Sequence, residues 1–143
     1  MWKQYQKILV AYDGSEQSKL ALRAAFDVAE RNKALVILLR VIESGEIGLR
    51  FEENADLEET KVRDEMHHEI ELAKKYYPEL SAAIWVLFGD AKKMIVDLVE
   101  KDPKIDLVMI GKTGKGTFAK KLIGSTVSYV VDHARCDVLV VSE

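Results

Sequence analysis

The sequence predicts an α/β fold, a doubly wound five-stranded parallel sheet with helices on both faces. Three observations carry this. Five short apolar runs rich in Val, Ile and Leu do not alternate with polar residues, the pattern of strands covered on both faces. Helical stripes separate the runs in strict alternation, and such crossovers are right-handed, which makes the strands parallel. The two segments richest in polar chemistry follow the first and fourth runs. They meet if the strand order is 3-2-1-4-5, at the point where the order reverses.

The first run is KILVAY, residues 7–12. A helix over 15–32 follows, because Leu20, Ala21, Ala24, Ala25, Val28 and Ala29 fall on one stripe. Ser15 or Asp13 can cap it, and Asp13 with Glu16 has capping-box spacing. The second run is ALVILLRVI, 34–42. The strongly acidic stretch 43–60 then reads as a solvated, mobile connection entering a polar helix start. Val62, Met66, Ile70, Ala73 and Tyr77 mark a second helix within 55–77, stopped by Pro78. The third run is AAIWVLF, 82–88, and Met94, Ile95, Leu98 and Val99 mark a helix over 91–101 before Pro103. The fourth run is DLVMIG, 106–111. Val127, Val130, Val131 and Ala134 mark the last helix over 125–134, ahead of the final run DVLVVSE, 137–143.

The chain has 143 residues, which fits one domain over 1–143 at about 150 residues per domain. A net charge of −3 gives no basic field, so no nucleic-acid partner is expected. Cys136 is the only cysteine, so no disulfide forms within the chain, and it reads as a small buried hydrophobe. The opening MWKQYQKILV has no signal-like apolar core. No stretch approaches the roughly 18 apolar residues of a membrane span. A cytoplasmic protein without membrane contact is expected.

The stretch GKTGKGTFAKKLIGST, 111–126, carries four glycines, four lysines and no acid. It is not a Walker A loop, because Thr117 stands after Gly116 where lysine is required, and Asp106 occupies the leading glycine position of the other register. It is not GxGxxG either. Anion binding needs neither pattern. Gly111 and Gly114 let backbone N–H groups approach a ligand. Gly124 and Ser125 precede the last helix, whose leading amides and dipole favour an anion. Ser125 and Thr126 add hydroxyls, and Lys112, Lys115, Lys120 and Lys121 add positive field.

The spacing Gly111-x2-Gly114-x9-Gly124-Ser125 resembles the G-x2-G-x9-G-[ST] motif of nucleotide-binding universal stress proteins. KILVAYDGSEQSKLALRAA, 7–25, is similar to that family's opening strand, turn and helix, and GSTVSYVVDHARCDVLVV, 124–141, to its closing helix and strand. The resemblance implies a 3-2-1-4-5 sheet that binds ATP with Mg2+ or Mn2+, in a homodimer paired through the last strand, 137–142. It places Ala11, Tyr12 and Asp13 against the nucleoside, with Asp13 near ribose or the divalent ion. Val41 touches adenine through its backbone. Gly111, Lys112, Thr113, Gly114, Gly124, Ser125 and Thr126 cradle ribose and phosphates, and Val127 extends the amide row. Two positions depart from the family. Thr113 stands where relatives are often basic, which weakens a phosphate contact. Asp137 replaces a frequent proline, with small structural effect expected.

The expected function is that of an ATP-binding regulatory or stress-response protein with at most slow hydrolysis and no catalytic residue. Asp13 is a thin apparatus for phosphoryl chemistry, and the loop holds no arginine. Asp90 after the third strand is a second acid, but that strand lies far from the fourth. His67 and His68, adjacent on a helix, point apart. His133 reads as structural or exposed, and Trp2 and Trp85 as packing residues. The alternative is a nucleotide-free dimeric interaction module, since DVLVVSE leaves an apolar edge that a second copy can pair with. An adenylating enzyme of the SGGxDS type lacks its loop in YDGSEQS, and a receiver domain lacks its acidic pair.

Overall fold

A computed structural model describes residues 3–43, 51–113 and 123–142. The elements run β1 (Lys7–Ala11), α1 (Glu16–Asn32), β2 (Leu35–Ile42), α2 (Phe51–Lys74), β3 (Ser81–Phe88), α3 (Ala91–Lys101), β4 (Ile105–Gly111), α4 (Ser125–His133) and β5 (Asp137–Val141). The sheet is five-stranded in the order β3-β2-β1-β4-β5, and every pairing is parallel, as expected from the sequence.

Alternation along each strand sorts the core into two layers. Ile8 and Val10 of β1, Val36 and Leu38 of β2, and Leu107 and Met109 of β4 meet α1 and α2 through Leu22, Phe26, Met66 and Ile70. Leu9, Ile37, Leu39 and Val108 point the other way, against Ile95 and Val99 of α3 and Val130 of α4. Both faces of the central strands are therefore buried, which explains why they read as unbroken apolar runs.

The turn after β1 settles which residue caps α1. Ser15, in an extended conformation, accepts from the Ser18 N–H at 3.2 Å. Asp13 instead accepts from the Ser15 N–H through Oδ1 at 2.9 Å, an Asx-type turn. Gly14 between them has φ 83°, a conformation that glycine adopts without strain. The cap on α1 contributes about 1 kcal/mol, and it fixes the direction in which Asp13 leaves the sheet.

Helix α2 starts at Phe51, earlier than its apolar stripe predicts, and ends at Lys74, three residues short of Tyr77. Acidic side chains suit the positive end of a helix, so polar leading turns fold although no stripe marks them. At the other end, the N–H groups of both Tyr76 and Tyr77 turn back to the Ala73 carbonyl, at 3.0 and 2.8 Å. Residues 51–60 of the stretch expected to be a mobile connection are thus helical. Its residues 44–50 lie outside the described part, as does Trp2.

Asp137 does more than replace a proline. Its Oδ2 accepts from Lys3 Nζ at 2.7 Å and from the Tyr5 hydroxyl at 2.8 Å. These bonds, the Lys3 one first, hold its carboxyl below the usual range. They tie the segment before β1 to the start of β5, a contact that proline lacks the groups to make.

Candidate functional site

The crevice lies beyond the carboxyl ends of β1, β2 and β4, where the strand order reverses, and encloses about 390 Å³. That size suits a small-molecule ligand. From the end of the first strand and the turn after it, Ala11, Tyr12 and Asp13 line it, and Val41 lines it from the second. Gly111 and Thr113 line it after β4, and Gly124, Ser125, Thr126 and Val127 at the start of α4. Gly114 lies outside the described residues. Lys112 is an exception to the grouping. It is not part of the wall, and its backbone is consumed by structure: its N–H donates to the Val141 carbonyl at 2.9 Å, and its carbonyl accepts from the Gly124 N–H at 3.0 Å.

That last bond takes the Gly124 N–H out of the amide row. The Gly124 N–H turns inward, away from any ligand. The first intrahelical bond of α4 runs from the Ser128 N–H to the Gly124 carbonyl at 3.0 Å. The N–H groups of Ser125, Thr126 and Val127 precede it, so they have no partner within the helix. Ser125, Thr126 and Val127, which carry these three leading amides, line the crevice at the positive end of the helix.

Gly111 is a glycine for a steric reason. A Cβ built there would stand 2.7 Å from both the carbonyl carbon and the oxygen of Gln17, in the first turn of α1. The end of β4 and the start of α1 are thus pressed backbone to backbone.

The other end is formed by the carboxyl end of β2. The β1–β2 ladder finishes with the Tyr12 N–H donating to the Leu39 carbonyl at 2.9 Å. Backbone groups alternate sides along a strand, so Val41, two residues on, aims its N–H and C=O toward the same side. The described part of β1 has turned away there, because strand pairing ends at Ala11 and Leu39. By that alternation one donor and one acceptor of Val41 lie on the β1 side, and Val41 lines the crevice. Leu39, Ala91 and Ile95 provide apolar wall beside them.

Tyr12 is 5% exposed. Burial first, then the carboxylates of Glu69, Glu65 and Asp13, push its hydroxyl up to about 12, against an opposing pull from Arg40. A folded-state pKa above the unfolded value near 10 adds stability that is complete below pH 10 and is lost as pH rises toward 12. Ultraviolet titration should accordingly find one tyrosine ionising near pH 12, and Tyr12→Phe should remove that step alone.

Ser18, Arg40, Glu43 and Ile110 also line the crevice, and none was singled out from the sequence. Arg40 was legible in principle, as the one charge inside the apolar run 34–42. The residue is 6% exposed. Ala91 and Ile95 follow from the α3 start reaching over β2. Asp90 does not line the crevice, and β3, which precedes it, is separated from β4 by two strands. His67, His68 and His133 are exposed and away from the wall. Trp85 packs under α3. Among the described residues no group of three His, Cys, Asp or Glu side chains could hold a metal ion, and no helix is long and apolar enough to cross a membrane.

Residues 4–142 match the sequence family described as the Universal stress protein family. A putative universal stress protein of Staphylococcus epidermidis is 31% identical, over 96% of this chain and 84% of its own length. Among solved structures, universal stress protein UspA from Lactobacillus plantarum superposes with a TM-score of 0.88 at 29% identity, covering 98% of this chain and 99% of its own. A universal stress protein crystallised in complex with cAMP gives a TM-score of 0.71 at 25% identity, covering 97% and 98%.

Proposed function

The chain belongs to the universal stress protein family, and from that premise we propose that its crevice binds an adenine nucleotide, ATP in the first instance, as a cytoplasmic regulatory or stress-response protein. The observation that carries the reading is the Val41 backbone. Its N–H and C=O match the N1 acceptor and N6 amino donor of adenine, and no side chain is needed to read them. The relative bound to cAMP supports an adenine ligand in a fold of this kind.

The remaining donor set fits the rest of a nucleotide. Asp13 lines the same crevice, and it supplies the carboxylate that ribose hydroxyls or a phosphate-bound Mg2+ or Mn2+ need. The Ser125, Thr126 and Val127 amides, with the hydroxyls of Ser125 and Thr126, suit phosphate oxygens. Thr113 offers a neutral hydroxyl where relatives often place a base. Gly114, from the same motif, completes the assignment by resemblance.

Binding with at most slow hydrolysis is the better reading. Phosphoryl transfer requires a positioned water and cationic stabilisation of the transferred group. The phosphate end of the described wall supplies neutral donors, and Arg40 enters from the opposite face of the sheet. A homodimer through residues 137–142 is part of the proposal. Strand β5 forms one edge of the sheet, and Leu139 on it is 44% exposed. The same edge supports the second reading, a dimeric interaction module without nucleotide.

Acid extraction of the purified protein, followed by mass spectrometry, separates the two. The first reading expects an adenine nucleotide approaching one per chain, or its uptake on addition with a Kd in the range of about 1 μM, near −8 kcal/mol. A dimer that neither retains nor takes up any adenine nucleotide would establish the second.

A further inference from the structure

Ser18 carries a buried hydroxyl in the first turn of α1. It is 4% exposed and lines the crevice. Alanine has the higher helix propensity and no polar group to bury, so what the hydroxyl contributes there is its bonds. Its single donor goes to the Ser15 carbonyl at 2.9 Å. As an acceptor it takes the Asp13 N–H at 3.3 Å. With its donor committed inside the turn, it has no proton left to offer a ligand. It acts through Asp13.

The pattern is a capping box displaced along the chain. Ser15 is the N-cap, and its Oγ accepts from the Ser18 N–H at 3.2 Å. In an ordinary box the side chain at the position of Ser18 reaches back to the N-cap N–H. Here Asp13 Oδ1 takes that N–H at 2.9 Å, and the Ser18 hydroxyl takes the N–H of Asp13 instead. Asp13 is therefore held by the first turn of α1 at both its backbone and its carboxylate. That turn is itself lodged against the end of β4, because the Gln17 backbone is what a Cβ on Gly111 would meet, at 2.7 Å. The carboxylate thus takes its place in the crevice wall from a packed helix.

We propose that Ser18 is a positioning residue for Asp13: its hydroxyl fixes the backbone of that residue, and with it where the carboxylate stands in the crevice. The positioning rests on the hydrogen bonds of the turn. Its consequence for a ribose hydroxyl rests on the adenine-nucleotide reading.

Two measurements on the full chain test it. The first needs no ligand. The amide of residue 15 donates to the Asp13 carboxylate rather than to Ser18, so its hydrogen exchange reports that carboxylate. In Ser18→Ala it should exchange at least about tenfold faster, while the β1 amides of Ile8, Leu9 and Val10 keep their rates. An unchanged rate at residue 15 overturns the proposal, and so does an equal acceleration in β1, which means general loosening.

The second measurement is calorimetry with AMP and its 2′-deoxy and 3′-deoxy forms. The parent should prefer AMP over at least one of these by about tenfold, the scale of a lost buried hydroxyl contact. Ser18→Ala should reduce that preference to within about twofold, and combining it with Asp13→Ala should add little further loss, because coupled residues are not additive. Ser15→Ala removes the cap on α1 but neither bond to Asp13, so it should lower the melting temperature and keep the preference. Full retention of the preference in Ser18→Ala, additive losses, or an equal loss in Ser15→Ala overturns the proposal while leaving the nucleotide reading intact. A parent that binds AMP with no preference for either hydroxyl overturns the ribose consequence. A parent that binds none of the three overturns the nucleotide reading, and the exchange arm still decides the positioning. Should Ser18→Ala not fold, Ser18→Thr and Ser18→Val carry the same test, since the two match in size and only threonine keeps the hydroxyl. Threonine should retain the parent's exchange rate at residue 15 and valine should not; equal rates in the two overturn the proposal.

Discussion

Gly111→Ala should lower the melting temperature by about 5–10 °C. The added Cβ would lie 2.7 Å from the Gln17 carbonyl carbon and oxygen, and 3.0 Å from its Cβ. None of these is the far end of a flexible side chain. Relief requires either the first turn of α1 or the end of β4 to move, and both are pinned. Helix α1 is held by the Ser15 cap, and β4 by its register with β5, where Gly111 pairs with Val141. Overpacking of this kind costs about 1–3 kcal/mol, and each kcal/mol corresponds to roughly 2–4 °C in a domain near this size. Thermal denaturation followed by circular dichroism reads the shift. An unchanged midpoint would mean that the two backbones are not in contact as described.

Gly124→Val should separate folding from phosphate binding. Gly124 is the N-cap of α4, with φ −61° and ψ 155°, ordinary extended geometry that valine adopts freely. The chain should fold with a stability loss of about 1 kcal/mol or less, since valine caps a helix less well than glycine. A branched side chain there nevertheless stands beside the Ser125, Thr126 and Val127 amides and displaces an anion from them. ATP affinity should drop by about 100-fold, near 2.7 kcal/mol, while adenosine, which carries no phosphate, should bind as it does to the parent. Equal losses for both ligands would place the phosphates elsewhere. Pairing this change with Gly114→Val should remove ATP binding altogether. The contrast with Gly111 is physical: one glycine is required by packing, the other by access.

Fold and site were legible in the sequence to different depths. Strands buried on both faces were recognised by short length and Val, Ile and Leu content rather than by period, and a strict alternation of strand and helix admits few topologies. The placement of the Asp13 turn and the α4 start at one reversal followed from the order alone. Helix α2 was less readable, because its acidic first turns carry no apolar stripe, yet they form helix at the end that favours negative charge. Lys112 was assigned by its place in the motif, but strand register spends its backbone on Val141 and Gly124 instead. The Gly124 N–H is likewise spent, on the Lys112 carbonyl. Arg40 passed unnoticed because periodicity weighs a strand by its majority; the informative residue was the one that did not belong.

The claim on which the functional reading depends is that Val41 presents one backbone donor and one acceptor to the edge of a purine. Calorimetric titration with AMP and with IMP tests it most directly, because the two ligands share ribose and phosphate and exchange donor for acceptor at that edge. AMP should bind with a Kd in the micromolar range and IMP at least about tenfold more weakly, the consequence of buried polar groups left unmatched. Equal affinity for the two, or no binding of either, would contradict the account.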